Sequence, residues 1–332
     1  MISRVHGYVL TIFASVCLLP PSAMAQKQSS DCSYLVANHT YAVYFGGILN
    51  AGMYFSQPGP PPYPDWGDVP NAGIGRLTFL ANGTIRNTQT ILVGFVGVTM
   101  DEVLAGTYSL KWDSSRGPSV CTGTMTEPDG NNHFQLIVSQ NGQRLEMIHT
   151  DLGLGVNPTG FLMNTNGCSN KSIEGSYTYN TNGWGLLPMV VPSDQTFGGF
   201  VAGQMSGAMR FYPGVFPSGK YTNTPPPGAG TVKAWDTVSI NGQIMPRTMT
   251  GWYTVDGHCS GKIVLNDGLN PEYIIEAYVG KSGDKVATLN VNTMDLLDEN
   301  GNPSLDENGK PYQIPTFLMP IPLERAVLDD PR

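Results

Sequence analysis

Charge is scarce in this sequence. Asp, Glu, Lys and Arg make up 13% of its 332 residues, 26 acidic against 18 basic, and they form no runs. A net negative chain attracts neither nucleic acid nor an anionic membrane, so both are excluded as partners. Long apolar runs are missing too. The stretch Tyr8–Leu19 is too short to span a bilayer, and nothing later is long and apolar enough to do so. No segment carries a helical period. Around His39, His133, His149 and His258 there is no His-x-His or His-Glu-x-x-His spacing, which argues against a metal, and no cofactor signature stands in its place. Gly-x-Ser-x-Gly is absent, so a hydrolase elbow has no support. The glycine-rich segments follow hairpins rather than strand-to-helix turns, so they are not phosphate loops.

Turn formers are plentiful, with 40 glycines and 26 prolines. Set between alternating apolar runs, they indicate a turn-rich β protein rather than a disordered chain. The first 25 residues read differently. Arg4, the apolar run Tyr8–Leu19 and Ala23-Met24-Ala25 form a charged start, a hydrophobic core and an Ala-x-Ala cleavage site, the pattern of a secretory signal. The sequence therefore predicts export, to the periplasm or as a secreted protein. Cys17 leaves with this leader and four cysteines remain, an even count that suggests disulfides. Losing Arg4 leaves 17 basic against 26 acidic residues, a net charge of −9.

The chain is best read outward from Gly230–Gly261. Two β runs flank Asn241-Gly242, and a third begins after Asp256-Gly257; both dipeptides suit two-residue hairpins that need positive φ. A version of this meander occurs earlier, in Gly83–Gly123. Cys32-Ser33 precedes Tyr41 as Cys168-Ser169 precedes Tyr177, and Cys121-Thr-Gly-Thr-Met answers Cys259-Ser-Gly-Lys-Ile. Gly106-Thr-Tyr-Ser-Leu answers Gly251-Trp-Tyr-Thr-Val in the same order. We therefore read two copies of one β domain, 26–165 and 166–292, followed by a proline-rich C-terminal extension, 293–332, lying across a barrel. Strands are predicted near Thr40–Phe45, Gly75–Leu80, Thr84–Val93, Leu104–Trp112, Cys121–Thr126, His133–Ser139 and Arg144–Thr150 in copy one. In copy two they fall near Gly175–Tyr179, Gly207–Tyr212, Thr231–Ile240, Arg247–Val255, Cys259–Leu265, Glu272–Val279 and Lys285–Asn292. The fold class is all-β. Seven or eight meandering strands in about 130 residues suit a small closed barrel, with a β-sandwich as the alternative.

The pattern Gly251-Trp252-Tyr253-Thr254-Val255 with Cys259-Ser260-Gly261, preceded by Thr237-Val238-Ser239-Ile240-Asn241-Gly242, resembles exported proteobacterial proteins. Those look like calycin-type barrels, in particular the allene-oxide-cyclase-like barrel. The resemblance covers most of copy two and the anchor residues of copy one. It implies a class that includes small-molecule binders and cofactor-free cyclases, and it brings no catalytic residues with it.

Several residues are candidates for chemistry. Alternation along Thr231–Ile240 sets Val232, Ala234, Asp236, Val238 and Ile240 on one face, which points Asp236 into a lumen as an acid, base or ligand anchor; a rim position meeting water is the plainer alternative. Gln89 is its counterpart in copy one. Tyr108 and Tyr253 either orient a ligand, Tyr253 beside Asp236, or pack against glycine on a neighbouring strand. Trp66 and Trp184 lie in the proline-rich insertions as possible lids. Trp235 and Trp252 share an outward face, as cross-strand neighbours or as an interface between barrels. Cys32–Cys121 and Cys168–Cys259 is the simplest disulfide pairing, worth about 4 kcal/mol each in chain-entropy terms, while Cys121–Cys168 stays open. The fragments starting at Asp298 and Asp306 lack the full ligand series of a calcium loop and read as Asx turns.

Three functions fit this sequence. The first is an exported tandem barrel binding a small, largely apolar molecule. The second is a cofactor-free cyclase or isomerase using Asp236 and Tyr253. The third is an envelope or surface interaction protein whose barrels are solid.

Overall fold

The alternation in the sequence becomes two closed rings of strands. The computed structural model describes residues 30–326 except 51–67, 95–96, 116–119, 128–131, 152–153, 165, 187–199, 216–220, 241, 269–270, 296–301, 304, 306–308 and 312. The expected leader 1–25, Trp66, Asn241 and the fragments at Asp298 and Asp306 lie outside the described residues. The first half contains β1 (Thr40–Asn50), β2 (Asp68–Phe79), β3 (Thr84–Val93), β4 (Gly97–Asp113), β5 (Val120–Thr126), β6 (His133–Val138), β7 (Arg144–His149), β8 (Leu154–Val156) and β9 (Thr159–Leu162). The second contains β10 (Gly175–Leu186), β11 (Phe200–Tyr212), β12 (Gly230–Ile240), β13 (Gln243–Val255), β14 (Ser260–Asn266), β15 (Tyr273–Val279) and β16 (Lys285–Asn290). These are followed by β17 (Thr293–Asp295), β18 (Gln313–Pro315), β19 (Phe317–Leu318) and β20 (Leu323–Arg325).

Each ring is an antiparallel meander that closes on its first strand. In barrel one β1 pairs with both β2 and β9; in barrel two β10 pairs with both β11 and β20. Among the described residues, closure pairs the long strands of each ring on both sides and leaves a free edge only on the short β8 and β19. Part of the segment read from composition as an extension across a barrel, β19 and β20, instead belongs to the second ring. β19 and β20 stand to β10 as β8 and β9 stand to β1. Tyr41 faces Leu162 across 121 residues and Tyr177 faces Arg325 across 148, so copy two carries about 27 extra residues before its closing strand. That insertion includes the β17–β18 hairpin, which lies against β4 of barrel one.

Short loops fix the register. Gly83 takes φ +83° and its N–H donates to Leu80 O at 3.1 Å; Gly142 and Gly283 play the equivalent part before β7 and β16. The turn at Asp256-Gly257 differs from expectation. Gly257 is not left-handed; Cys259 is, at φ +64°. The Asp256 carboxylate accepts from the N–H groups of His258 and Ser260, both at 2.9 Å, and this holds a longer loop than a two-residue turn. Both disulfides form within their own copy, Cys32–Cys121 and Cys168–Cys259.

One end of each lumen is sealed by aromatics. Tyr41, Phe79 and Tyr108 stack edge to face at 5.7 and 4.9 Å, as do Tyr177, Phe211 and Tyr253 at 5.5 and 5.0 Å. Tyr41 Oη donates to Gly142 O at 2.6 Å and Tyr177 Oη to Gly283 O, so each plug is tied to a loop tip.

The barrels also share a core. Ala42, Ala72, Ile74 and Leu92, on the outer wall of barrel one, are buried in one cluster with Tyr278, Val279, Ala287 and Leu318 of barrel two. Thr90 Oγ1 donates to Glu276 Oε2 at 2.9 Å across this seam, and Arg76 sits 5.7 Å over the Tyr278 ring. Trp235 and Trp252 do not form the interface. Trp235 is 44% exposed, and Trp252 lies beneath Tyr221 and Ala229, donating to Asn223 O at 2.8 Å. Nor are they cross-strand neighbours, since they face Thr248 and Thr231.

Candidate functional site

Three places offer room or polar groups for chemistry: the two lumens and the cleft between the barrels. In barrel two, strict alternation on β12 turns Asp236 inward, where it is 6% exposed. The rim alternative therefore does not apply. Arg247, its cross-strand partner on β13, donates to it through Nε at 2.8 Å and Nη2 at 2.6 Å, a forked pair. Tyr179 Oη donates to Asp236 Oδ2, the oxygen that also accepts from Arg247 Nη2, at 2.8 Å. Burial opposes the guanidinium charge, but the hydrogen bonds and charge of Asp236 more than offset it, and the Arg247 pKa is raised. Burial and the neighbouring Asp236 charge push the Tyr179 phenol far above its ordinary range, so it remains a donor. The Arg247 guanidinium lies 5.2 Å over the Tyr273 ring. Phe317, Met319 and Ile321 of the closing segment lie over this cluster, and the free volume is about 20 Å³. That is room for about one water, which needs roughly 10–15 Å³ by the same measure, and far too little for an apolar ligand.

The matching depth of barrel one is polar but built differently. Gln89 and Asn87 lie on β3, and Asn87 Nδ2 donates to Gln89 Oε1 at 3.0 Å and to Glu127 Oε1 at 3.3 Å. Asn132 Nδ2 donates to Glu127 Oε2 at 2.8 Å, and His149 Nε2 lies 3.1 Å from Asn132 Oδ1. The Asp151 N–H donates to His149 Nδ1 at 3.3 Å, which leaves the proton on Nε2, where it can donate to Asn132. A buried carboxylate is thus satisfied by two amides, one of them held by a histidine. Glu127 and Asn132 carried no signal in the sequence, and His149 stood there only as a histidine without metal-ligand spacing. His149 continues the inward series Leu145, Met147, His149, and that alternation was the available signal.

Burial pushes the His149 pKa down, with the Asp151 charge acting against it and His133 adding to it. A neutral buried imidazole binds fewer protons than the same group unfolded, whose pKa is near 6.5. Stability contributed by the neutral form is present above about pH 6.5 and declines as pH falls toward the folded-state pKa. The urea midpoint should therefore drop from pH 7 to pH 5. His149→Asn, which installs the residue found at the equivalent Asn290, should flatten that drop. A slope unchanged by the substitution would show that His149 is not its source.

The remaining expected site residues are dispersed. Tyr253 lies six strand positions from Asp236, about 20 Å along the barrel. Its hydroxyl donates to Asn170 O at 3.1 Å, and Gly230 packs on its ring so closely that a Cβ there would sit 2.5 Å away. Tyr108 donates to Leu80 O at 2.9 Å. Both are packing residues of the sealed ends. Trp184 is not on a loop; it sits on β10, opposite Ala202 and Leu318.

Trp184 does face open space. A cleft of about 1260 Å³ lies between Tyr44–Ile48 of barrel one and the outer wall of barrel two, including Trp184, Phe200 and Gln204. None of its lining residues, among those described, is charged. No protein-family model matches this sequence, and a comparison with curated proteins finds no match.

Proposed function

We propose that this chain is an exported, non-catalytic binding protein that holds its ligand in the cleft between its barrels rather than inside them. The contrast in room carries the reading: about 20 Å³ around Asp236 against about 1260 Å³ in the cleft. An apolar guest in the second lumen would have to displace Phe317, Met319 and Ile321. The first lumen offers amides and a carboxylate that already satisfy one another, a poor lining for an apolar molecule. A cyclase needs a shaped cavity with its polar groups converging, whereas Asp236 and Tyr253 are about 20 Å apart along the strands. Two disulfides suit an oxidising compartment, in keeping with export. Kinship with calycin-type barrels rests on the Gly251–Val255 and Cys259–Gly261 residues, and the closed antiparallel meander is compatible with it.

Titration with the lipophilic dye N-phenyl-1-naphthylamine tests the choice of site. The expected result is no saturable lumen signal at micromolar protein. One-to-one binding that a fatty acid competes and that Trp184→Ala leaves intact would overturn the reading.

A further inference from the structure

We infer that the occupant of the cleft is an uncharged oligosaccharide, stacked on Trp184 and hydrogen-bonded by Asn182 and Gln204; this rests on the cleft being the binding site. Alternation on β10 directs Asn180, Asn182 and Trp184 outward. Cross-strand pairing then builds two rows on the barrel wall, Asn180–Ser206–Thr237 and Asn182–Gln204–Ser239, with Trp184 beyond them opposite Ala202. The amides of Asn180, Asn182 and Gln204 are exposed and make no side-chain hydrogen bond within the described residues. Trp184 is half-buried against the shared core, so its indole is held in place while part of it stays open to the cleft.

The chemistry of this wall is selective. A side-chain amide both donates and accepts, as a sugar hydroxyl does, whereas a carboxylate only accepts and an ammonium only donates. An indole offers a rigid apolar face for the C–H face of a sugar ring. The lining carries no charge in a chain whose acidic residues outnumber its basic ones, so a phosphorylated or uronic-acid ligand finds no counter-charge there. A peptide is the competing occupant. Extended peptides bind sheets by adding to a free edge, and in these rings only the three-residue β8 and the two-residue β19 have one, too short to hold an extended peptide. Asn180 and Trp184 are four residues apart on one strand, about 13 Å, enough for more than one sugar ring.

Affinity electrophoresis of the full chain in gels containing laminarin, soluble starch or galactomannan, with heparin and alginate as charged controls, tests the proposal. At least one neutral polymer should retard the protein. Trp184→Ala should weaken that binding about thirtyfold, as loss of an aromatic anchor does. Trp184→Phe should restore most of it, and Asn182→Ala and Gln204→Ala should weaken it without moving the Tm. Retardation by none of the neutral polymers, or only by the charged ones, overturns the proposal. If an uncharged peptide array binds instead and Trp184→Ala abolishes that binding, the sugar assignment fails and the cleft reading stands. If neutral polymers bind equally well to the Trp184 and Gln204 variants, both fail.

Discussion

Ending the chain after Pro315 leaves the second barrel unable to fold. The cut removes β19 and β20, and with them Leu318, Met319, Ile321 and Leu323, which are 0–3% exposed. Each large aliphatic side chain fully buried contributes about 1.5–3 kcal/mol, so four contribute about 6–12 kcal/mol. That is comparable to the whole net stability of a domain, about 5–15 kcal/mol. Hydrogen bonds disappear as well: Ile321 N to Thr288 O at 2.8 Å, Thr288 Oγ1 to Ile321 O at 2.6 Å, and Thr181 Oγ1 to Pro320 O at 2.6 Å. β10 and β16 become bare edges that invite self-association. Limited proteolysis and hydrogen exchange should show residues 175–290 cleaved and unprotected. A truncated chain that keeps a cooperative transition at the parental midpoint would sink this account of closure.

Arg247→Met should cost about 3–5 kcal/mol, the usual consequence of stranding one member of a buried ion pair. Little solvent reaches the pair, since the side chains are 14% and 1% exposed for Arg247 and Asp236. Asp236→Leu alone should cost a similar amount, because the guanidinium is then unpaired. The double variant should recover most of the loss, since two apolar groups need no partner. Full recovery needs Tyr179→Phe in addition, because the Tyr179 hydroxyl otherwise loses its acceptor, at about 1–3 kcal/mol. Urea unfolding at pH 7 reads each step. A loss below about 1 kcal/mol for Arg247→Met would mean a wet, screened lumen and would reopen the case for a ligand there.

The legible parts of the fold were those where alternation and turn chemistry agree. Thr84–Val93 lies between Gly83 and Gly94, and its observed ends match the expected ones. Thr231–Ile240 alternates without a slip, which set Asp236 on the apolar face and left only the choice between lumen and rim to the structure. Disulfide pairing followed from the repeated position of each cysteine. The closing strands were missed because Leu323-Glu-Arg and Thr159-Gly-Phe-Leu are too short for a period to register, and prolines surround the former. The partner of Asp236 is not legible from alternation alone, because opposing it to Arg247 requires the exact register of the β12–β13 hairpin. The cleft was illegible for a different reason. Asn182 and Gln204 are unremarkable outward polar residues until β10 and β11 are paired beneath the neighbouring barrel.

The burial of Ala42, Ala72, Ile74 and Leu92 has a consequence for how the two copies can diverge. These side chains point away from their own lumen, yet water does not reach them. Excised alone, barrel one would present them as a greasy flank of the kind that drives aggregation. Duplication therefore produced a pair without autonomy. Each half serves as part of the other's interior, and the outer wall of one is held to the packing rules of a core.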